Sequence, residues 1–168
     1  KALQLYDTLD RDAERAKCLI WLGWTYMRQD GPTDRVIDFF TQALEIYRSQ
    51  DDRFSEHLCL SDLAGAYLSR GDLCEALQAS EQCLAFFSSI GALDDAPTCL
   101  YTRGEIYRRM GRMEEALESL HASLELCRQL DRNAAADFNQ VAIAAALRDL
   151  SRYENACAML ERPLISED

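Results

Sequence analysis

An alanine returns at every fortieth position along this chain: Ala76 in CEALQAS, Ala116 in EEALESL and Ala156 in ENACAML. Val36, in DRVIDFF, extends the same spacing backwards by one step. Four positions further on, Phe40, Ser80, Leu120 and Leu160 form a second column, and Leu44, Leu84, Leu124 and Leu164 a third. A fixed period of this length means that one supersecondary unit recurs and that each unit buries its apolar side against the next. The front half of each unit agrees. It reads Leu19-x-x-Leu22-Gly23-x-x-Tyr26, then Leu60-x-x-Leu63-Ala64-x-x-Tyr67, then Leu100-x-x-Arg103-Gly104-x-x-Tyr107, then Gln140-x-x-Ile143-Ala144-x-x-Leu147. The first unit sits one position out of phase, which places one extra residue in its turn near DGP.

Each unit is a pair of helices. Ala, Leu, Glu, Arg and Gln abound, β-branched residues are sparse, and 48% of the residues are apolar, a helix-forming and core-forming mixture. First helices are predicted at about 12–29, 53–69, 97–110 and 134–149, and second helices at about 34–49, 73–90, 113–130 and 152–162. The small residues Gly23, Ala64, Gly104 and Ala144 let one helix of a pair approach the other, and Ala76, Ala116 and Ala156 do so from the partner helix. Gly71, Gly111 and Ser151 fall in the turns. Pro97 suits a helix start, and Pro163 should end the last helix early. Asp51, Asp52, Asp94, Asp95, Glu114 and Glu115 all stand at helix starts, where carboxylates favour the dipole.

The columns together resemble the tetratricopeptide repeat, W-x2-L-G-x2-Y followed by A-x3-F. The first aromatic is replaced by Leu or Gln, Ser80 replaces the phenylalanine in the second unit, and the period of forty exceeds the usual ~34. The resemblance implies an all-α solenoid of stacked antiparallel helix pairs forming a right-handed superhelix. The expected repeats are 11–51, 52–92, 93–132 and 133–168. Residues 1–10 are expected to end a preceding repeat's second helix, because ALQLY (Ala2–Tyr6) mirrors ALEIY (Ala43–Tyr47). No polar capping helix follows the fourth unit, so a fragment of a longer protein is expected, with self-association through uncapped ends as one consequence.

Several chemistries are argued against. A net charge of −11 opposes a general phosphate-binding surface and hence nucleic acid. The apolar runs are too short to span a bilayer, and no apolar leader segment opens the chain. The seven cysteines contain no C-x-x-C pair and are read as reduced, in a cytoplasmic setting. Cys18, Cys59 and Cys99 share one column. Equivalent columns of stacked helix pairs lie roughly 10 Å or more apart, beyond disulfide reach and unable to share one zinc. They are read as small buried apolar residues, as are Cys74, Cys83, Cys127 and Cys157. His57 and His121 lack metal-site spacing, and neither SRGDLCEALQAS nor RMGRMEEALESL has the spacing of a phosphate loop. No pair of titratable residues has a spacing that a mechanism requires, so neither an enzyme nor a cofactor is expected.

What remains is a binding surface. In the family the first helices line the concave face, and the resemblance implies groove positions at Lys17, Ile20, Trp24, Met27 and Arg28. It implies Leu58, Ser61, Gly65, Leu68 and Ser69 in the second unit, and Tyr101, Glu105, Arg108 and Arg109 in the third. The fourth supplies Val141, Ala145, Arg148 and Asp149. Trp21 and Trp24, three apart, share a helix face; whether they line the groove or pack on a preceding unit stays open. Arginine's planar fork suits carboxylates, which points to a protein or peptide partner of acidic character. The same arginines also balance helix C-termini. The lysine–asparagine clamp of chaperone-binding relatives is absent, since Ile20, Trp24, Ser61 and Gly65 stand there. The expected function is a non-catalytic scaffold in a regulator or adaptor; a sensor domain for a small ligand or signal peptide is the alternative.

Overall fold

The computed structural model describes residues 2–160. The expected effect of Pro163, the Leu164 position and the side chain of Cys157 lie outside the described residues. Eight helices follow one another there: α1 (Ala2–Arg28), α2 (Thr33–Ser49), α3 (Arg53–Arg70), α4 (Leu73–Ile90), α5 (Ala96–Arg109), α6 (Met113–Gln129), α7 (Asn133–Asp149) and α8 (Tyr153–Leu160). The fold is all-α and built of stacked helix pairs, as the repeat predicts. From α2 to α7 the observed boundaries fall next to the expected ones. α1 differs: it continues upstream to Ala2 with no break near residue 11.

The chain divides into two compact units, Lys1–Gln82 and Cys83–Asp168, and the division falls inside α4. In the first unit α1 packs on α2 and α2 on α3. In the second, α5 packs on α6, α6 on α7 and α7 on α8, with a lighter contact between α5 and α7.

The helix ends follow a stricter rule than the sequence suggested. A residue with positive φ follows every helix from α1 to α7: Asp30, Asp51, Gly71, Gly91, Gly111, Asp131 and Ser151. The residue after each donates its N–H to a carbonyl five positions back, at Tyr26, Tyr47, Tyr67, Phe87, Tyr107, Cys127 and Leu147, over 2.8 to 3.0 Å. That is the Schellman closure, which satisfies a carbonyl the helix would leave unpaired. Successive turns stand twenty positions apart, except that Asp30 and Asp51 are one further apart. The extra residue is where the sequence placed it, at Gly31–Pro32 before α2. Asp52 then caps α3, its carboxylate accepting from the Ser55 N–H at 3.1 Å.

The packing columns are buried as expected at Val36, Ala76, Ala116 and Ala156 in one and at Phe40, Ser80 and Leu120 in the next; Leu160, the last member of the second, is instead exposed, because among the described residues no helix follows α8 to cover it. Size is traded between the two helices of a pair. A Cβ placed on Gly23 would stand 2.3 Å from the Phe40 ring, and one on Gly104 would stand 2.6 Å from Leu120 Cγ. Where the first helix carries Ala64 instead, the second carries the smaller Ser80. Fixed volume is filled by either combination.

Candidate functional site

In the first unit Trp24, Met27 and Leu58 are exposed large apolar side chains; Ser61 and Leu68 are half-buried and Arg28 exposed. Lys17 is exposed and pairs with Glu14 at 2.8 Å. Trp21 and Trp24 meet edge to face, ring centroids 5.5 Å apart, and with Met27 and Arg28 they border a shallow depression of about 320 Å³. Trp24 is also tied to α3, because its indole N–H hydrogen-bonds the Asp62 carboxylate. Burial pushes that carboxyl up to about 6, and the indole bond opposes the rise. Burial dominates because charge is costly to remove from water.

In the second unit the arginines are less available than the sequence suggests. Arg108 donates to both Glu105 oxygens, at 2.9 and 3.1 Å, and to Asp149 of α7 at 2.9 Å. Only 24% of its side chain is exposed. Glu105 first, and then Asp149, hold its pKa above the ordinary value, while burial opposes them. Arg148 donates to Asp149 at 3.0 Å, and Arg148 ahead of Arg108 holds that carboxyl below its usual range. Arg108 is thus explained inside the fold: it staples α5 to α7. Arg109 stays exposed and Tyr101 is half-buried; burial and the nearby Glu105 raise the Tyr101 hydroxyl.

The cysteine reading needs correcting. Cys59, Cys83, Cys99 and Cys127 are buried, but Cys18 and Cys74 are exposed. Cys59 donates its thiol to the Phe40 carbonyl of α2 at 3.1 Å, and burial pushes it up to about 12. Among the described residues no helix covers the equivalent face of α1, which leaves Cys18 in water. His57 is a packing histidine whose Nδ1–H donates to the Arg53 carbonyl at 2.7 Å.

One site was missed. Pro97 and Tyr101 of α5, Cys127 of α6, Arg132 before α7, and Phe138 and Asn139 of α7 line a cavity of about 210 Å³. Asn139 is 2% exposed. Its amide N–H donates to the Ala135 carbonyl at 2.9 Å, and Cys127 Sγ lies 3.7 Å away. Its Oδ1 has no partner. The signal that could have found it is the cysteine column itself: Asn139 stands one full period after Cys99.

Residues 97–130, covering α5 and α6, match the family model of the tetratricopeptide repeat. Residues 97–130 thus form a tetratricopeptide repeat. Solved structures agree in fold. A protein of nearly identical TPR-like repeats, of kinesin-light-chain type, from Podosopora anserina superposes with a TM-score of 0.66 at 18% identity, over 88% of this chain and 72% of that one. Aspartyl phosphate phosphatase F of Bacillus subtilis gives a TM-score of 0.77 at 16% identity, over 88% and 38%. PlcR of Bacillus thuringiensis, in complex with the peptide PapR7 and DNA, gives 0.59 at 14%, over 93% and 66%. The chain thus spans well under half of the phosphatase. No curated protein sequence matches it significantly. Among the described residues no helix is long and apolar enough to cross a membrane.

Proposed function

We propose that this tetratricopeptide chain is a non-catalytic, cytoplasmic scaffold that binds a peptide or helix of a partner protein on the face of its first helices. It would be the regulatory or adaptor segment of a longer signalling or transcription-regulating protein, built from repeats at 11–51, 52–92, 93–132 and 133–168. The observation that carries the reading is where large apolar side chains are left in water. Trp24, Met27 and Leu58 in the first unit, and Phe138 and Val141 in the second, are exposed on first helices. Clustered exposed apolar side chains mark interaction sites, and aromatic anchors dominate their energetics. PlcR, of similar fold, holds a peptide, which supports a peptide partner here. With Arg108 and Arg148 already holding carboxylates of the chain, apolar anchors outrank acidic groups in what the partner must offer. Lys17, Ser61, Leu68, Tyr101, Glu105 and Arg109 would complete the contact surface.

A metabolite sensor is the rival. The 210 Å³ cavity falls short of the ~300–1,000 Å³ usual for small-molecule sites, and the 320 Å³ depression beside Trp21 and Trp24 reaches that size only as a shallow surface, which suits a peptide side chain better than an enclosed metabolite. Isothermal titration against a peptide array and a metabolite panel tests it. Peptide binding that Trp24→Ala or Phe138→Ala weakens is expected; metabolite binding without peptide binding would overturn it.

A further inference from the structure

We infer that α1 carries a hinge at Leu9–Arg11, about which residues 2–8 fold back as a helical strap over the face of α1 that holds Cys18. The structure shows the straight state, in which α1 runs unbroken from Ala2 to Arg28. The bent state follows from three features of the chain.

The spacing of the turns reaches into α1. Turn residues with positive φ recur every twenty or twenty-one positions from Asp30 to Ser151. One further step of twenty back from Asp30 is Asp10. The residue after a turn donates its N–H five positions back, and the acceptor is a tyrosine carbonyl at Tyr26, Tyr47, Tyr67 and Tyr107. Five positions before Arg11 is Tyr6. At 27 residues α1 is also longer than α2 to α7, which hold 14 to 18, as a helix fused across a turn site would be.

The residues at that site make a turn elsewhere in the same chain. Leu9-Asp10-Arg11 is followed by Asp12 and Ala13, and Leu130-Asp131-Arg132 by Asn133 and Ala134. At the later site Asp131 stands at φ 53, and Arg132 donates its N–H to the Cys127 carbonyl at 2.8 Å. Aspartate holds the positive φ at Asp30 and Asp51 too, since its short polar side chain tolerates the left-handed region. Bending at Asp10 exchanges helical hydrogen bonds for Schellman ones and does not leave the last carbonyls bare.

The strap has a face to cover and the side chains to cover it. Cys18 is exposed, and Trp21 and Leu22 are 66% and 43% exposed. In the next repeat α2 packs on α3 and Cys59 is buried. Burial, and next the nearby Cys59, raise the Tyr47 hydroxyl, which places that ring close to the thiol. Ala43, Leu44 and Tyr47 of α2 are buried, and their counterparts by sequence are Ala2, Leu3 and Tyr6. Tyr6 precedes Cys18 by the same interval that separates Tyr47 from Cys59. Folding at Asp10 therefore brings Tyr6 to Cys18 as Tyr47 stands to Cys59. Apolar surface leaves water in that step, which offsets the cost of a left-handed aspartate.

Iodoacetamide labelling of the intact chain, read at each cysteine by mass spectrometry, tests the hinge, with exposed Cys74 as the internal standard. Asp10→Gly favours the bent state, because glycine takes positive φ freely, and Asp10→Ala favours the straight one. The two substitutions set the hinge equilibrium apart by about thirtyfold. The Cys18-to-Cys74 labelling ratio should then be at least about threefold lower in Asp10→Gly than in Asp10→Ala. Adding Tyr6→Ala to Asp10→Gly should restore the labelling, which it would not do if glycine merely frayed the helix. Asp10→Gly should also show a nuclear Overhauser contact between the Tyr6 ring and Cys18, residues that lie about 18 Å apart along a straight helix. Equal labelling ratios, a ratio that Tyr6→Ala leaves unchanged, or a missing Tyr6–Cys18 contact would each overturn the hinge. Protection that fades on dilution would give the strap to a second copy and overturn the fold-back within one chain.

Discussion

α1 and α3 are the same helix in two repeats, and three equivalent pairs of residues show how differently they live. Leu22 is 43% exposed and Leu63 only 3%. Cys18 is exposed and Cys59 buried. Trp21 is 66% exposed, while its counterpart Asp62 is covered enough for its carboxyl to be pushed up to about 6. An indole stands in water where a carboxylate is sheltered from it. α2 is the cause: it lies against that face of α3, and among the described residues no helix lies against that face of α1. Position within a repeat sets which way a side chain points. The neighbouring helix sets whether that direction is inside.

The comparison is best broken at its apolar pair. Leu63→Ala should cost ~2–5 kcal/mol by leaving a cavity, and Leu22→Ala less than about 1 kcal/mol, in urea unfolding followed by circular dichroism. Equal losses would mean that α1's face is covered in solution. A second contrast lies one residue on. Gly23→Ala should cost ~1–3 kcal/mol, because its Cβ meets Phe40 and overpacking strains a filled core. Ala64→Gly should cost about 1 kcal/mol, mainly through backbone entropy.

Asp62 provides the pH contrast. Its folded pKa of about 6 lies above its ordinary 3.8. The native state therefore holds the proton more tightly, and this group's contribution to stability is greatest at low pH. It should fall by on the order of 1–3 kcal/mol as pH rises from about 4 through 6. Asp62→Asn should flatten that window. Trp24→Phe, which removes the indole donor, should move the Asp62 midpoint still higher by carboxylate NMR; an unmoved midpoint would disprove the contact. The smallest effect belongs to the turns. Ser151 holds φ 59 without glycine's freedom, so Ser151→Gly should raise stability by under about 1 kcal/mol in the same unfolding assay.

The fold was legible because its signals are local and repeated. The Ala76, Ala116 and Ala156 column, the glycines at 71 and 111 and the insertion before α2 each follow from spacing alone. The exposure of Cys18 and Leu22 was not legible, since identical columns differ only in what covers them. Arg108 looked like a free cation because its second partner, Asp149, is far away in sequence. Asn139 was hidden by a change of residue type within a column, and its unpaired oxygen is a property of three helices at once.

The turns at Asp30, Asp51, Gly71, Gly91, Gly111, Asp131 and Ser151 give the chain a ruler marked in twenties. From α1 to α7 the backbone closes each helix alike and does not distinguish first helices from second ones. Side chains alone carry that distinction, and they repeat in forties. Excising a single helix, from one turn to the next, would therefore rejoin on matching geometry yet set two helices of one kind side by side. Excising a helix with its partner would keep both rhythms. Shortening or lengthening of such a molecule, by recombination or by design, is confined to whole pairs.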